Sequence, residues 1–198
     1  MRKKLLPEHK KAIEEIKEFI INGKFYLAGG TAVYYYLEHR ESIDLDFFSS
    51  LKLNFLKYQY LFKPHRISSY SEDTIHAEIK NINMSFFHYP YVLIAPLSFV
   101  EIIPVASLED ILCMKINAII GRGSKRDFID VFFIMKELSL SAEDCIRLFN
   151  KKFGDYNLLI IYKAMSYFKD ADEEPELKMI KKIDWEEIKK FFRKEFSL

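Results

Sequence analysis

The segment of residues 25–48 constrains the fold more than any other part of this 198-residue chain. A short apolar run at residues 25–28 predicts a buried strand, and Gly29-Gly30 then interrupts it. Thr31 can cap a helix over residues 32–37. Because an alternating stretch follows, the order of elements is strand, tight glycine turn, helix and strand.

The second of these strands carries two carboxylates, Asp44 and Asp46. Residues i and i+2 of a strand point to the same face, so the two carboxylates should project together while Ile43, Leu45 and Phe47 point into a core. Neighbouring carboxylates repel unless a cation lies between them or one is protonated. Oxygen ligands favour Mg²⁺, which usually accompanies a nucleotide phosphate. The alternative is an ordinary solvated strand face.

The glycine turn has the features of a phosphate-binding loop. Gly30 has no side chain to keep a phosphate away from backbone N–H groups. Thr31 adds a hydroxyl group at a helix N-terminus, where the dipole favours anions. The alternative is a simple tight turn, since glycine pairs are common at turns. With two carboxylates on the next strand, we favour phosphate binding.

Lys115 lies in the middle of an apolar helix face. Leu108, Ile111, Leu112 and Ile119 share that face at helical spacing. A buried ammonium group is costly unless it extends to solvent or meets an anion, and a triphosphate is one such anion.

Residues 121–130 combine a glycine-rich break with cations at the start of a helix. Arg122, Lys125 and Arg126 lie where the helix dipole disfavours positive charge, which indicates an anionic partner. Asp127 either joins such a site or forms a capping box with Ser124. The next aspartate on the same helix face, Asp130, is expected to pair with Arg126.

The remaining patterns predict strands first and helices later, which is typical of an α+β fold with a small mixed sheet flanked by helices and a helical C-terminal region. We assign residues 1–138 to the core and 139–198 to a helical region packed on it. Residues 170–175 are acidic and predict an exposed linker. The predicted helices cover about 7–22, 53–62, 108–120 and 125–138, with three more from near 141, 155 and 184; the predicted strands in the middle cover 67–70, 74–79, 82–88 and 102–105.

The composition argues against several classes of protein. A formal net charge of +1 gives no long-range attraction to nucleic acid. Cys113 and Cys145 lie in apolar helical patterns, as small buried residues of a protein in the reducing cytoplasm do. The basic start leads into a charged amphipathic stretch, and no run approaches the roughly 20 apolar residues of a membrane span, so we expect neither a signal peptide nor a membrane segment.

The combined motifs resemble those of the AbiEii/MenT-like toxin nucleotidyltransferases, which belong to the DNA polymerase beta nucleotidyltransferase superfamily. The resemblance covers about residues 25–136. Its first block comprises Leu27-Ala-Gly-Gly-Thr-Ala32 and His39-Arg-Glu-Ser-Ile-Asp-Leu-Asp-Phe-Phe48; its second comprises Leu108-Glu-Asp-Ile-Leu-Cys-Met-Lys115, Arg122 and Lys125-Arg-Asp-Phe-Ile-Asp130.

The resemblance implies a nucleotidyltransferase-like fold and the transfer of a nucleoside monophosphate from a nucleoside triphosphate (NTP) to an acceptor, with Mg²⁺. Some relatives modify the acceptor ends of transfer RNA (tRNA) and are toxins controlled by a cognate antitoxin protein. The implied metal ligands are Asp44 and Asp46, which are also catalytic candidates together with Lys115 and Asp127; the implied nucleotide-binding residues are Gly29, Gly30, Thr31, Ser42, Arg122 and Arg126.

One departure from the superfamily pattern leaves alternatives open. Many members carry a third acidic residue on a later strand, often as the general base, whereas this chain has Asn83 and Ser85 there. Asp127 is one substitute. The alternatives to a toxin that acts on RNA are a catalytically decayed protein that binds a nucleotide or a partner, and a transferase whose acceptor is a small molecule such as an aminoglycoside.

Overall fold

The structure, a computed structural model, describes residue 2 and residues 4–197. Met1, Lys3 and Leu198 lie outside the described residues, and so does part of the basic start. The fold has two compact units. The sheet unit comprises the described residues up to Tyr35, Ser42–Val92 and Pro96–Ala106; the helical unit comprises Tyr36–Glu41, Leu93–Ala95 and the described residues from Ser107 onward. The division into domains after residue 138 stays a prediction.

The sheet unit contains a seven-stranded mixed sheet in the order β3-β4-β5-β2-β1-β7-β6. The pairs β2–β5 and β1–β7 are parallel, and the other neighbouring pairs are antiparallel. This arrangement confirms the predicted mixed sheet. The strands are β1 Tyr26–Ala28, β2 Leu45–Ser49, β3 Arg66–Tyr70, β4 Thr74–Ile79, β5 Ile82–His88, β6 Ser98–Val100 and β7 Ile103–Val105.

Helices in the first part of the chain begin and end close to the predicted positions. The predicted helix before Gly23 is broken at Ile16, whose backbone leaves the helical region (φ −128°, ψ 20°). The helix after β1 begins at Gly29, so Thr31 lies in its first turn and does not cap it. The helices are α1 Pro7–Glu15, α2 Lys17–Asn22, α3 Gly29–Leu37 and α4 Phe55–Phe62.

The core of the sheet unit lies on one face of the sheet. Leu45 and Phe47 of β2 are fully buried there, and Phe86 of β5 stacks on Phe47 with ring centroids 5.4 Å apart. Phe19 of α2 packs edge-on against Phe86 at 5.2 Å. The prediction that Ile43 also points inward is wrong: its side chain is 53% exposed, because β2 begins only at Leu45 and the alternation does not extend back to residue 43.

The helical unit is built around α5, which packs against α6, α7 and α8, while α10 packs against α6 and α8. Gly123, in the left-handed conformation (φ 59°), ends α5. Within residue 2 and residues 4–197, neither unit has a helix that combines the length and the apolar character of a membrane span. The helices are α5 Leu108–Arg122, α6 Lys125–Leu138, α7 Ala142–Phe153, α8 Leu158–Ser166, α9 Lys169–Glu173 and α10 Trp185–Glu195.

The acidic stretch at 170–175 is largely exposed, as its composition predicts, but it is not a linker. Most of it belongs to α9, and Ala171 is fully buried. Glu174 accepts hydrogen bonds from the Ser124 hydroxyl group and the Lys125 backbone N–H, each at 3.0 Å. It thereby satisfies an N–H group at the start of α6 that has no partner within the helix. The alternative interpretation of Ser124 and Asp127 as a capping box is also wrong, because the Ser124 hydroxyl group bonds to Glu174 and not to the third residue of α6.

Both cysteines are fully buried, as their apolar surroundings predict. Burial raises the pKa of the Cys113 thiol to about 12 and also raises the pKa of Cys145. The thiolate form of Cys113 is therefore scarce at neutral pH, and the side chain acts as a small apolar residue in the core.

Candidate active site

Two carboxylates share one face of the sheet, opposite the core. Asp46 of β2 is in register with Ser85 of the parallel strand β5. Asp44, just before β2, accepts a hydrogen bond from Asn83 Nδ2 at 3.1 Å. Asn83 and Ser85 are two residues apart on β5 and so point to the same face. Asp44 and Asp46 therefore lie side by side on this face, the former exposed and the latter half-buried.

The glycine turn lies directly against Asp46. Gly29 adopts a left-handed conformation (φ +70°), which side chains disfavour. A Cβ atom at this position would lie 2.5 Å from Asp46 Oδ2, closer than atoms can approach. Only glycine therefore allows the N-terminus of α3 to begin this close to the carboxylate.

Thr31 and Ser42 hold the backbone that precedes the strand. Thr31 is buried, and its hydroxyl group donates to the carbonyl oxygen of Asp44 at 2.5 Å. Its oxygen also lies 2.9 Å from Ser42 Oγ. Because the Thr31 proton is used on Asp44, Ser42 is the donor in the second bond. The structure thus shows Thr31 and Ser42 as positioning residues, and their predicted contact with a nucleotide stays a prediction.

The polar face continues across β5 to β4. His76 of β4 is in register with Ser85, and its Nδ1 atom lies 2.9 Å from Ser85 Oγ. The His76 ring also packs edge-on against Phe87 at 5.7 Å. His76 was not predicted to be a site residue, because no other candidate ligand lies near it in the chain. The alternation of β4, which buries Ile75 and Ala77, was the available signal that His76 faces away from the core. We call Asp44, Asp46, Asn83, Ser85 and His76 the carboxylate face.

The carboxylate face suits a metal ion that arrives with a substrate. Within residue 2 and residues 4–197, no three or more His, Cys, Asp or Glu side chains are grouped as a metal site. Mg²⁺ commonly binds through one or two carboxylates and completes its coordination with water and substrate phosphates. The pair Asp44 and Asp46, both oxygen donors on an open face, fits that mode and not a closed protein cage.

The predicted residues of the second motif meet in the helical unit. Lys115 Nζ lies 2.7 Å from Asp127 Oδ1 and 2.6 Å from Asp130 Oδ2. Both aspartates are fully buried, and the Lys115 side chain is 8% exposed. The ammonium group therefore does not extend into solvent; it meets two anions of the protein itself. A contact between Lys115 and a phosphate stays a prediction.

Asp130 has partners that the sequence did not predict. Arg40 donates to its two oxygens through Nε and Nη2, both at 2.8 Å, and His39 donates to it through Nε2 at 2.7 Å. The predicted pairing with Arg126 is wrong, because Asp130 points into the unit while Arg126 is exposed. The motif containing His39 and Arg40 is 90 residues from Asp130 in sequence, too far for helical spacing to reveal the pair.

Arg122 extends this cluster to the surface. It donates to Asp127 through Nε at 2.8 Å and Nη2 at 3.1 Å, although half of its side chain is exposed (52%). We call Arg40, Lys115, Arg122, Asp127 and Asp130 the charge cluster. The structure therefore brings Lys115, Asp127 and Arg122 together and leaves Arg126 exposed beside them in sequence.

Both acids of the charge cluster are ionised. Burial alone would raise the pKa of Asp130, but Lys115 and Arg40 hold it well below its ordinary value. Burial opposes ionisation of Asp127 as well, and Lys115 with Arg122 lowers its pKa. The two carboxylates thus have three cationic partners, Arg40, Lys115 and Arg122, so the cluster has one positive charge in excess. Of the three cations, Arg122 is the exposed one.

A second buried ion pair, between Asp110 and Lys152, was also missed. Their Oδ1 and Nζ atoms are 2.7 Å apart, and both side chains are fully buried. Asp110 also accepts hydrogen bonds from the backbone N–H groups of Ile94 and Ala95. These contacts fix the short segment Leu93–Ala95 within the helical unit, which is a structural role.

Comparisons with known proteins agree with the resemblance. The family described as "Nucleotidyl transferase AbiEii toxin, Type IV TA system" matches residues 55–198. The uncharacterized protein aq_aa25 of Aquifex aeolicus (strain VF5) is 35% identical over 201 residues, which cover 97% of this chain and 96% of that protein. The family match begins at residue 55 and so does not include Asp44 and Asp46. The match to the Aquifex protein spans nearly the whole chain.

Two solved structures from Helicobacter pylori have the same fold. A putative nucleotidyltransferase superposes with a TM-score of 0.59 at 19% identity and covers 97% of this chain and 94% of that chain. The protein JHP933 superposes with a TM-score of 0.56 at 18% identity over 95% of this chain and 88% of that chain. At these identities the likeness concerns the fold, and it confirms the predicted nucleotidyltransferase-like architecture. The family match over residues 55–198, which is more than half of the chain, establishes that this chain belongs to the AbiEii nucleotidyl transferase toxin family.

Proposed function

We propose that this protein is an Mg²⁺-dependent nucleotidyltransferase that moves a nucleoside monophosphate from an NTP to an acceptor hydroxyl group. The observation that carries the proposal is the position of Asp46. It lies beside Asp44 on an open sheet face and against a turn where only glycine fits. A carboxylate pair next to a glycine-started helix is the arrangement that a metal-bound polyphosphate requires.

Each element of the carboxylate face has a defined task in this proposal. Asp44 and Asp46 hold Mg²⁺, which when bound neutralises charge on the phosphate oxygens. The N–H groups at the start of α3, at Gly29 and Gly30, are among those that a helix leaves without an intrahelical partner, and they bind the phosphates. Thr31 and Ser42 keep the backbone of Asp44 in place through their linked hydroxyl groups.

The charge cluster supplies positive charge for an anionic substrate. Arg122 is its exposed cation, and Arg126, which is outside the cluster, is also exposed; we assign both to phosphate groups. Lys115 balances Asp127, which in turn orients the Arg122 guanidinium group through two hydrogen bonds. Exposed guanidinium groups with fixed orientation are suited to binding phosphate oxygens.

The family description supports a toxin whose action is opposed by an antitoxin. We propose a cytoplasmic toxin with RNA, in particular tRNA, as the acceptor and a cognate antitoxin protein as partner. The net charge of +1 means that RNA would be held by local contacts and not by long-range attraction.

The test is a transfer assay with the purified chain, Mg²⁺, each of the four NTPs labelled at the α-phosphate, and total RNA. We expect label in RNA from the wild-type protein and none from an Asp44→Asn variant that keeps its circular dichroism spectrum. The matched control is Glu41→Gln, which removes an exposed acid that pairs across the surface with Lys178 at 3.3 Å. Full activity of Asp44→Asn would contradict the assignment of the metal ligands.

The same assay separates the alternatives. Mg²⁺-dependent binding of NTP without incorporation into any product would indicate a catalytically decayed binding protein. Label in a small molecule and not in RNA, found by chromatography of a total cell extract treated with the protein, would indicate a small-molecule acceptor.

A further inference from the structure

Transfer to a hydroxyl group requires a proton acceptor, and strand β5, which runs beside the two carboxylates, has no acid on this face to provide it. The positions on β5 beside Asp44 and Asp46 are Asn83 and Ser85, neither of which takes up a proton at neutral pH. This inference rests on the proposed transferase function. It concerns how the acceptor loses its proton.

Three side chains form a row across adjacent strands of the sheet. Asp46 of β2 is in register with Ser85 of β5, and Ser85 is in register with His76 of β4. Neighbouring strands lie about 4.8 Å apart, so each residue of the row is within side-chain reach of the next. The row therefore leads from the metal-binding carboxylates to an imidazole ring through one hydroxyl group.

The imidazole ring is held in position by several contacts. His76 Nδ1 lies 2.9 Å from Ser85 Oγ, and Phe87 packs edge-on against the ring at 5.7 Å. The backbone carbonyl of His76 accepts a hydrogen bond from Ser68 Oγ at 3.1 Å. Both His76 and Ser85 are half-buried, so the face remains open to a substrate while the ring orientation is fixed.

We propose that Ser85 and His76 form a proton relay that activates the acceptor. In the tautomer with Nδ1 unprotonated, Ser85 donates to His76 and its oxygen can accept from the acceptor hydroxyl group. As the acceptor oxygen forms a bond to the α-phosphorus, its proton passes to Ser85 Oγ and the Ser85 proton passes to His76 Nδ1. The bond between the α-phosphorus and the bridging oxygen breaks, and pyrophosphate leaves with that electron pair. The imidazolium ion then returns its proton to solvent.

Few charged groups surround the relay. Glu78 lies two residues along β4 on the same face, and Arg66 of β3 lies opposite Glu78 with a 3.9 Å ion pair between them. Asp46 is the charged residue of the row on the far side of Ser85, and the β3 residue in register with His76 is the uncharged Ser69. A relay of this kind needs a neutral imidazole to accept the acceptor's proton, so it predicts a rate that falls on the acid side of the pH profile.

The first test is a His76→Gln variant in the transfer assay. We expect kcat to fall about 100-fold or more, the usual contribution of a positioned base, with KM for the NTP unchanged. The fall in rate that the wild type is expected to show on the acid side of its pH profile should be absent in this variant. The matched control is Glu78→Gln, on the same strand and face, which should keep kcat and the acid limb. In a Ser85→Ala variant kcat should fall as far as in His76→Gln. In the double variant kcat should fall no further, because the two residues act as one unit.

The decisive test is rescue. Adding Ser85→Asp to the His76→Gln variant places a carboxylate where it can accept the proton directly. We expect kcat to recover at least 10-fold, with an acid limb at lower pH than in the wild type. Transfer by the wild type together with an unchanged kcat and acid limb in His76→Gln would overturn the relay but leave the proposed function intact. A wild-type chain that transfers no nucleotide would overturn both. If His76→Gln does not fold, Ser85→Ala and its pH profile decide the question.

Discussion

Lys115 Nζ and Asp130 Oδ2 lie 2.6 Å apart in a site where neither side chain has appreciable contact with solvent. Arg40 binds the same aspartate through two hydrogen bonds. In such surroundings a charged group is stable only while it has a partner of opposite charge, because an unpaired buried charge has no water to solvate it. Asp130 thus joins the segment Tyr36–Glu41 to helices α5 and α6 within the helical unit.

An Asp130→Asn variant should be strongly destabilised. It leaves Arg40 and Lys115 buried with one carboxylate fewer, and loss of one partner of a buried pair costs about 3–5 kcal/mol. The free energy of unfolding in urea measures the effect. The matched control is Asp155→Asn at an exposed position, which should change that free energy by no more than about 0.5 kcal/mol. Equal stabilities of the two variants would contradict the role of the charge cluster.

The stability of the protein should fall as the pH decreases below about 6.5. Burial lowers the pKa of His39 from its ordinary value of 6.5, although the hydrogen bond to Asp130 opposes the shift. The folded state therefore keeps His39 neutral while the unfolded state takes up a proton, so the free energy of unfolding rises with pH in this window. A His39→Gln variant should show a shallower slope between pH 7.5 and 5 when unfolding by urea is measured at each pH.

His9 contributes to the same slope. Burial lowers its pKa as well, so His9→Gln should flatten the slope in part, and the double variant more than either alone. A His39→Gln variant with the wild-type slope would show that the pKa of His39 is the same in the folded and unfolded states.

Gly29→Ala should impair both stability and nucleotide transfer. The new Cβ atom would lie 2.5 Å from Asp46 Oδ2, and the left-handed backbone is itself strained for alanine, which costs about 1–3 kcal/mol. Displacement of Asp46 should lower transfer activity more than the loss of folded protein explains. Thermal unfolding and the transfer assay measure the two effects.

Gly121→Ala is the matched control for that substitution. Gly121 lies inside α5, and a Cβ atom there would meet no neighbouring atom within 4 Å. Alanine is the better helix former, so this variant should be more stable by about 0.5–1 kcal/mol and fully active. Transfer at the wild-type rate by Gly29→Ala would show that the turn does not position Asp46.

Local patterns in the sequence were sufficient to predict most elements. The period of apolar residues predicted α6 at its observed bounds and α5 to within two residues of its end. Alternation predicted β4 and β5 at their observed bounds. The three-residue strand β6 was missed, because so short a run shows no periodicity.

The parts that escaped prediction depend on contacts between distant segments. The row of Asp46, Ser85 and His76 follows from strand register, which the sequence of a single strand does not specify. The bond between Arg40 and Asp130 joins residues 90 positions apart. Glu174 caps α6 from a segment whose acidic composition alone suggests a solvated linker.

The path of the chain has a consequence for dissecting this protein into fragments. The chain passes from one unit to the other at five places, after residues 35, 41, 92, 95 and 106. A fragment that starts at Ser107 would keep Lys115 but would lose His39 and Arg40, and with them three hydrogen bonds to Asp130. Neither unit is encoded by an uninterrupted stretch of the gene, so expressing or exchanging one of them requires the whole chain.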